Sequence, residues 1–253
     1  MITHCVRRRG LGCALAFAFL ISFCVQAQMP GAGAPGMTTA LIKLFGDIKA
    51  FSARAEVQVL DASQKEVSNM PMDFSLLDKR IRVEIDQALT KSRTMPPGAA
   101  ESLKQMGMAR VISILCPDKK AAYVFYPDQK VMMTMPLAEE GPDAASGPKT
   151  TKTVLGKETV DGHPCVKNKI LMTFAQGDPV EAITWNATDL KDFPVQIQTK
   201  ESEHTSFIRF KQVEFHKLDS SLFDPPSGYV KYSDPQQLMQ GVMKKISESA
   251  TKK

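Results

Sequence analysis

The chain has 253 residues, with 32 Lys and Arg against 27 Asp and Glu, a formal net charge of +5. Three of the arginines, Arg7, Arg8 and Arg9, belong to a leader; without them 29 basic residues face 27 acidic ones and the net charge falls to +2. No basic stripe with interleaved aromatics remains, which excludes a nucleic-acid footprint, and the length suits one large β-rich domain or two small ones.

The arginines form a basic n-region, Leu11 to Val25 an apolar h-region, and Val25-Gln26-Ala27 a peptidase site. We expect residues 1–27 to be a signal peptide cleaved after Ala27, placing the chain in the periplasm or outside the cell. Fifteen apolar residues fall short of the roughly 20 a membrane span needs, and "QMPGAGAPGM" follows with no stop-transfer charges. Phe23 before Cys24 does not fit a lipobox. Arg8-Arg9 could open a twin-arginine signal, although the apolar stretch behind it favours ordinary secretion. Cleavage leaves two cysteines, Cys116 and Cys165.

Residues 28–37 read as a flexible linker. "TTALIKLFGDI", 38–48, carries Leu41, Ile42, Leu44, Phe45 and Ile48 on one helical face. The period then changes to two: Ala53, Ala55, Val57 and Val59; Met70, Met72, Phe74 and Leu76; after the "LLDK" turn, Ile81, Val83 and Ile85. A short helix is expected within 95–108. "RVISILC" and "AAYVFY" are apolar at both parities, so both faces of the sheet should be covered there. "KVMMTMP" follows, then a loop over 138–149. Strands resume at "TKTVLGKETV", "CVKNKILMTF", "VEAITWNA", "PVQIQTK" and "TSFIRFKQVEF". After "SLFDPPSGYVKY", residues 233–253 form a C-terminal helix and tail, with Asp234 as N-cap, Pro235 at the first helical position and Gln237 three residues after the cap. The predicted fold class is α+β: a single domain over 38–232 built on nine to eleven antiparallel strands, one strongly curved sheet forming an incomplete β-barrel with a helical lid.

"KETVDGHPCVKNKI" places His163 and Cys165 two positions apart. A thiol nucleophile would need that pair to meet and a third residue to orient the histidine, and no orienter is identifiable in the sequence. One Cys and one His do not complete a metal site, and no CxxC or HxxxH supplies the rest, so no metal is assigned. In an oxidising compartment the simpler reading is a Cys116–Cys165 disulfide, closing a loop of about fifty residues and contributing on the order of 4 kcal/mol; free thiols are the alternative. Met70 with Met72, Met106 with Met108, and Met133 with Met135 fit an adaptable apolar lining better than a Cu(I) site. GxSxG, a phosphate-binding loop and HExxH are all absent. No catalytic residue and no cofactor is assigned. Arg80 and Arg82 suit either a solvated face paired with Glu84 and Asp86 or a cavity rim.

"RIRVEID", the helix "ESLKQMG", the hairpin "VISILCPDKKAAYVFYPDQKVMMTMP", "LGKETVDGHPCVKNKI", "AITWNATDLKDFPVQIQ" and "SSLFDPPSGYVKY" together resemble a family of secreted bacterial proteins related to the lipoprotein-sorting carriers LolA and LolB, over about residues 45–232. The resemblance implies a half-closed antiparallel barrel with a helical lid and an apolar cavity for acyl chains. It matches Arg82 to the strand arginine that such carriers hold near the lid. The expected function is a non-enzymatic periplasmic carrier of a lipid or lipoprotein acyl chain, with a membrane-associated donor or acceptor protein as possible partner. Expected cavity residues are Met70, Met72, Phe74, Ile81, Val83, Ile112, Ile114, Val131, Met133 and Trp185. The alternatives are a protein-binding sensory or structural module on the same fold, a Met-rich Cu(I) carrier, and, last, a thiol enzyme.

Overall fold

The computed structural model describes residues 37–137, 149–174, 179–201 and 203–251. The expected leader and all but the last residue of the expected linker lie outside them, as do residues 138–148 of the expected loop. In chain order the elements are α1 (Met37–Leu44), β1 (Ala50–Leu60), β2 (Glu66–Leu77), β3 (Arg80–Asp86), β4 (Lys91–Ser92), α2 (Ala99–Gln105), β5 (Arg110–Cys116), β6 (Ala121–Tyr126), β7 (Val131–Pro136), β8 (Lys149–Val160), β9 (His163–Thr173), β10 (Val180–Ala187), β11 (Phe193–Glu201), β12 (His204–Glu214), β13 (Val230–Tyr232) and α3 (Pro235–Thr251). The helix expected over 38–48 stops at Leu44, because Gly46 takes the left-handed conformation (φ +59°) that ends a helix. The "LLDK" turn is a two-residue hairpin with Asp78 and Lys79 both at positive φ (46° and 70°), the backbone that matches the twist of the flanking strands.

All thirteen strands join one sheet in the order β13-β7-β6-β5-β3-β2-β1-β12-β11-β10-β9-β8, with β4 paired to β2 alone. Among the described residues the sheet is not closed into a barrel, and β13 and β8 are its edges. The count exceeds nine to eleven because the two- and three-residue strands β4 and β13 are too short to show a period. Every pairing is antiparallel except β13 with β7. Two runs of near neighbours in sequence, β1 to β7 and β8 to β12, are thus joined by the pairing of β1 with β12.

The registers fix which residues share a face. One row runs Ala53, Phe74, Val83, Ser113, Val124, Met133; its continuation on the same face of β1 runs Val57, Ile208, Ile197, Thr184, Asn168. This face is concave. The rings of Phe74 and Phe210 lie 5.4 Å apart although β1 separates their strands, and those of Phe51 and Phe193 lie 4.8 Å apart across β12. Two strand steps in a flat sheet would span about 9.6 Å. Phe45, just past α1, sits among all four rings with centroids at 5.0 to 5.8 Å and is 2% exposed.

On the opposite, outer face Leu77, Ile112, Ile114, Cys116, Phe125 and Met132 are buried beneath Leu218 and Phe223. This is why β5 and β6 are apolar at both parities: the segment leading to β13 covers the second side. At the C-terminus, Asp234 Oδ1 accepts the Gln237 amide at 2.9 Å, the cap expected from sequence. Leu238, Met239 and Val242 are buried, and Gly241 packs against the ring of Tyr232, which is paired with Met133 and so shares its face.

Candidate functional site

The filled part of the concave face ends at the five phenylalanines. Beyond them, over β8 to β10, lies a cavity of about 650 Å³, within the roughly 300–1,000 Å³ of small-molecule sites. Its floor follows from the alternation of β9 and β10. Ile170 and Met172 are buried at 6% and 2% exposure, and Thr184 and Asn186 adjoin them on the next strand. The end of α1 supplies Leu44, the link from α1 to β1 supplies Phe45 and Ile48, and Phe215 closes another side.

The polar end of the floor is internally bonded. Asn186 Oδ1 accepts from Thr184 Oγ1 at 2.7 Å and from Asn168 Nδ2 at 3.0 Å, while Asn186 Nδ2 donates to the Asp192 carbonyl at 2.8 Å and holds the β10–β11 turn in place. The exposed wall is charged. Lys43, Lys49, Lys152 and Lys191 line it with Asp47 and Asp192. Lys152 Nζ lies 3.4 Å from Asp192 Oδ2, and Lys191 Nζ stands 4.7 Å over the Phe215 ring. The arrangement offers a trough with an apolar floor and a cationic mouth.

None of the ten residues expected from sequence lines this cavity. Met70, Met72, Phe74, Ile81, Val83, Val131 and Met133 do share the concave face, but on β2, β3 and β7, where all except the half-buried Met72 are packed to 9% exposure or less. Ile112 and Ile114 belong to the outer cluster under Phe223. Trp185 also faces outward, its Nε1 donating to Glu158 Oε2 at 2.6 Å with Lys167 Nζ 4.9 Å over the ring. Arg82 is on the outer face as well, opposite Ile114, with its guanidinium 2.8 Å from Glu84; Phe45 and α1's link to β1 lie on the other side. The Met70–Met72 and Met133–Met135 pairs are four strand steps apart.

The expected disulfide is corrected: Cys116 and Cys165 are both free and buried. Seven strand steps separate β5 from β9, about 34 Å along the sheet at ~4.8 Å per step, whereas bridged cysteines need Cα atoms within about 7 Å. Burial pushes both thiols above the ordinary range. His163 does have an orienter that the sequence concealed, Asp189, whose carboxylate lies 2.8 Å from Nδ1. Cys165 Sγ, however, donates to the His163 carbonyl at 3.3 Å. A buried thiol with a raised pKa is a poor nucleophile.

Among the described residues no helix is long and apolar enough to cross a membrane, and no cluster of three His, Cys, Asp or Glu side chains could hold a metal. No family model matches the chain, and no curated protein matches it. Solved structures similar to it include the lipoprotein LppX of Mycobacterium tuberculosis (TM-score 0.38, 10% identity, covering 72% of this chain and 97% of that one). LprF from Mycobacterium bovis gives 0.39, 14%, 78% and 100%. A LolA superfamily protein from Nitrosomonas europaea gives 0.36, 11%, 72% and 93%. All these TM-scores and identities are low, so what the chain binds has to be read from its own cavity.

Proposed function

We propose that this protein is a non-enzymatic binding or carrier protein of the periplasm, released there by cleavage after Ala27, and that it holds a single acyl chain of a lipid or acylated lipoprotein. The observation that supports this reading is the 650 Å³ cavity with a floor of Ile170 and Met172 and a mouth open to solvent. At about 30 Å³ for each water-sized group, it accepts roughly twenty heavy atoms, one chain with its head. Ten buried methylenes at about 0.8 kcal/mol each give about 8 kcal/mol gross, equivalent to about micromolar, and an association cost of at least about 4 kcal/mol weakens this towards the millimolar range. A carrier that must hand its cargo to a membrane-associated acceptor needs that range. The helical lid is assigned to α1 and residues 43–50, pinned by Phe45.

The test is chain binding by calorimetry to the exported protein and to the Ile170→Phe/Met172→Phe double variant, which fills the floor while keeping it apolar. Binding should weaken at least tenfold while thermal stability stays close to that of the parent. Equal affinity in both proteins would sink the proposal. The protein-binding module is the second reading, favoured by β8, a strand at the sheet edge that carries Val154 and Leu155 at 65% and 51% exposure.

A further inference from the structure

Resting on the acyl-chain reading, we propose that the cavity selects chains with an anionic head, a carboxylate or a phosphate monoester, and that the head is held by the lysines of the mouth. Four lysines and two aspartates line the cavity, an excess of two positive charges on a chain whose mature net charge is also only about two. The lining of this cavity therefore carries as large a positive excess as the whole mature chain. The four come from separate places in the sequence: Lys43 from the last turn of α1, Lys49 from the α1–β1 link, Lys152 from the edge strand β8, and Lys191 from the β10–β11 turn.

The mouth also holds an exchangeable counter-ion. Asp192 Oδ2 lies 3.4 Å from Lys152 Nζ, and both side chains are about half exposed, 60% and 46%, so the pair is weakly held. An incoming anion replaces the Asp192 carboxylate at Lys152 without leaving a buried charge unpaired. Asp192 is set at φ +59°, and its carbonyl is fixed by Asn186, so its position owes nothing to the ion pair. The apolar stems of the lysines continue the lining of the trough up to the head, and Lys191 stays over Phe215. Each exposed ion pair multiplies affinity by about 1.4 to 5, so two or three engaged lysines give about tenfold over an uncharged head.

The experiment measures binding of four twelve-carbon chains that differ only in the head, dodecanoate, dodecyl phosphate, dodecanol and dodecyltrimethylammonium, the ionic ones below their micelle concentrations and dodecanol below its solubility limit. The expected result is that both anions bind about tenfold tighter than dodecanol and the cation weakest, with the difference shrinking in high salt. In the Lys43→Gln/Lys49→Gln/Lys152→Gln/Lys191→Gln variant the ratio of dodecanoate to dodecanol affinity collapses to about one. Asp192→Asn, which removes the competing carboxylate and tolerates the same backbone, moves the ratio the other way by about two- to fivefold. Equal affinity for dodecanol and dodecanoate in the parent overturns the head-group inference and leaves the chain-binding reading standing. Failure of all four chains to bind overturns the chain-binding reading itself. Inorganic phosphate binding as tightly as dodecyl phosphate would make the mouth a site for a free anion and overturn the inference.

Discussion

Phe45→Ala tests the arrangement on which the cavity depends. Phe45 is 2% exposed and lies within 5.8 Å of the rings of Phe51, Phe74, Phe193 and Phe210, so the substitution removes a ring that ties residues 43–50 to the concave face. A buried Phe withdraws roughly 150–250 Å² from water, which at about 25 cal/mol per Å² gives an upper bound of about 4–6 kcal/mol. Core Phe→Ala changes cost about 3–5 kcal/mol, less where the site can collapse. Since Phe45 also borders the cavity, its neighbours have room to relax, and we expect about 3 kcal/mol. Urea unfolding measures this directly through the midpoint, with the slope unchanged if only stability is affected. Met243→Ala, at a residue 48% exposed on α3, should stay within about 0.5 kcal/mol. A loss below about 1 kcal/mol for Phe45→Ala would refute the reasoning, because the link would then not be docked on the four rings.

Two further outcomes follow from packing and charge. Gly241→Ala should destabilise by about 1–3 kcal/mol, against the helix-propensity gain of up to ~1 kcal/mol that the same change would normally bring, because the new methyl overlaps the Tyr232 ring; a rise in the melting temperature would contradict the α3–β13 packing. Glu84 is partly buried, which raises its carboxyl pKa, but hydrogen bonds from Arg110 and Arg82 lower it by more, and the net shift is downward. A carboxylate so depressed contributes stability above its unfolded-state value of 4.5, lost as pH falls through the folded value. Glu84→Gln should therefore flatten the decline in urea midpoint between about pH 6 and about pH 3, and an acid decline identical to that of the parent would show that the Arg82–Glu84–Arg110 cluster carries no linked stability.

Strands were legible in the sequence because a sheet with one wet face writes its period into the chain. Ala53, Ala55 and Val57 are each buried at 6% or less, with Arg54 exposed between them. The double apolar parity of β5 was equally readable, since Phe223 has to cover something. The position of the cavity was not readable. Alternation gives the two faces of each strand but not which is concave, so Ile112 and Trp185 read like Met70 although they point the other way. Nor does it show where a filler lies: Phe45 is remote in sequence from Phe193 and Phe210, and only the fold makes them neighbours. The floor left a faint trace in "KNKILMT", where Asn168, Ile170 and Met172 alternate with lysines until the apolar Leu171 blurs the pattern. The lysines of the mouth left none, because a Lys in a turn or on an edge strand looks like any solvated charge. The disulfide expectation fails for a related reason: separation along the chain says nothing about strand order, and six strands stand between the two thiols.

The pairing of β1 with β12 makes this a fold of high contact order. Each of the two runs it joins is assembled chiefly from pairings between strands close in sequence, whereas across β1 and β12 Glu56 meets Lys211, 155 positions along the chain. Closing a loop of that length costs about 4.5 kcal/mol of chain entropy, recovered only once side chains meet across it. Three of the five clustered rings, Phe45, Phe51 and Phe74, come from one run, and Phe193 and Phe210 come from the other. The aromatic cluster is thus the reward that follows closure, and we expect the pairing of β1 with β12, the most non-local in the sheet, to limit the refolding rate.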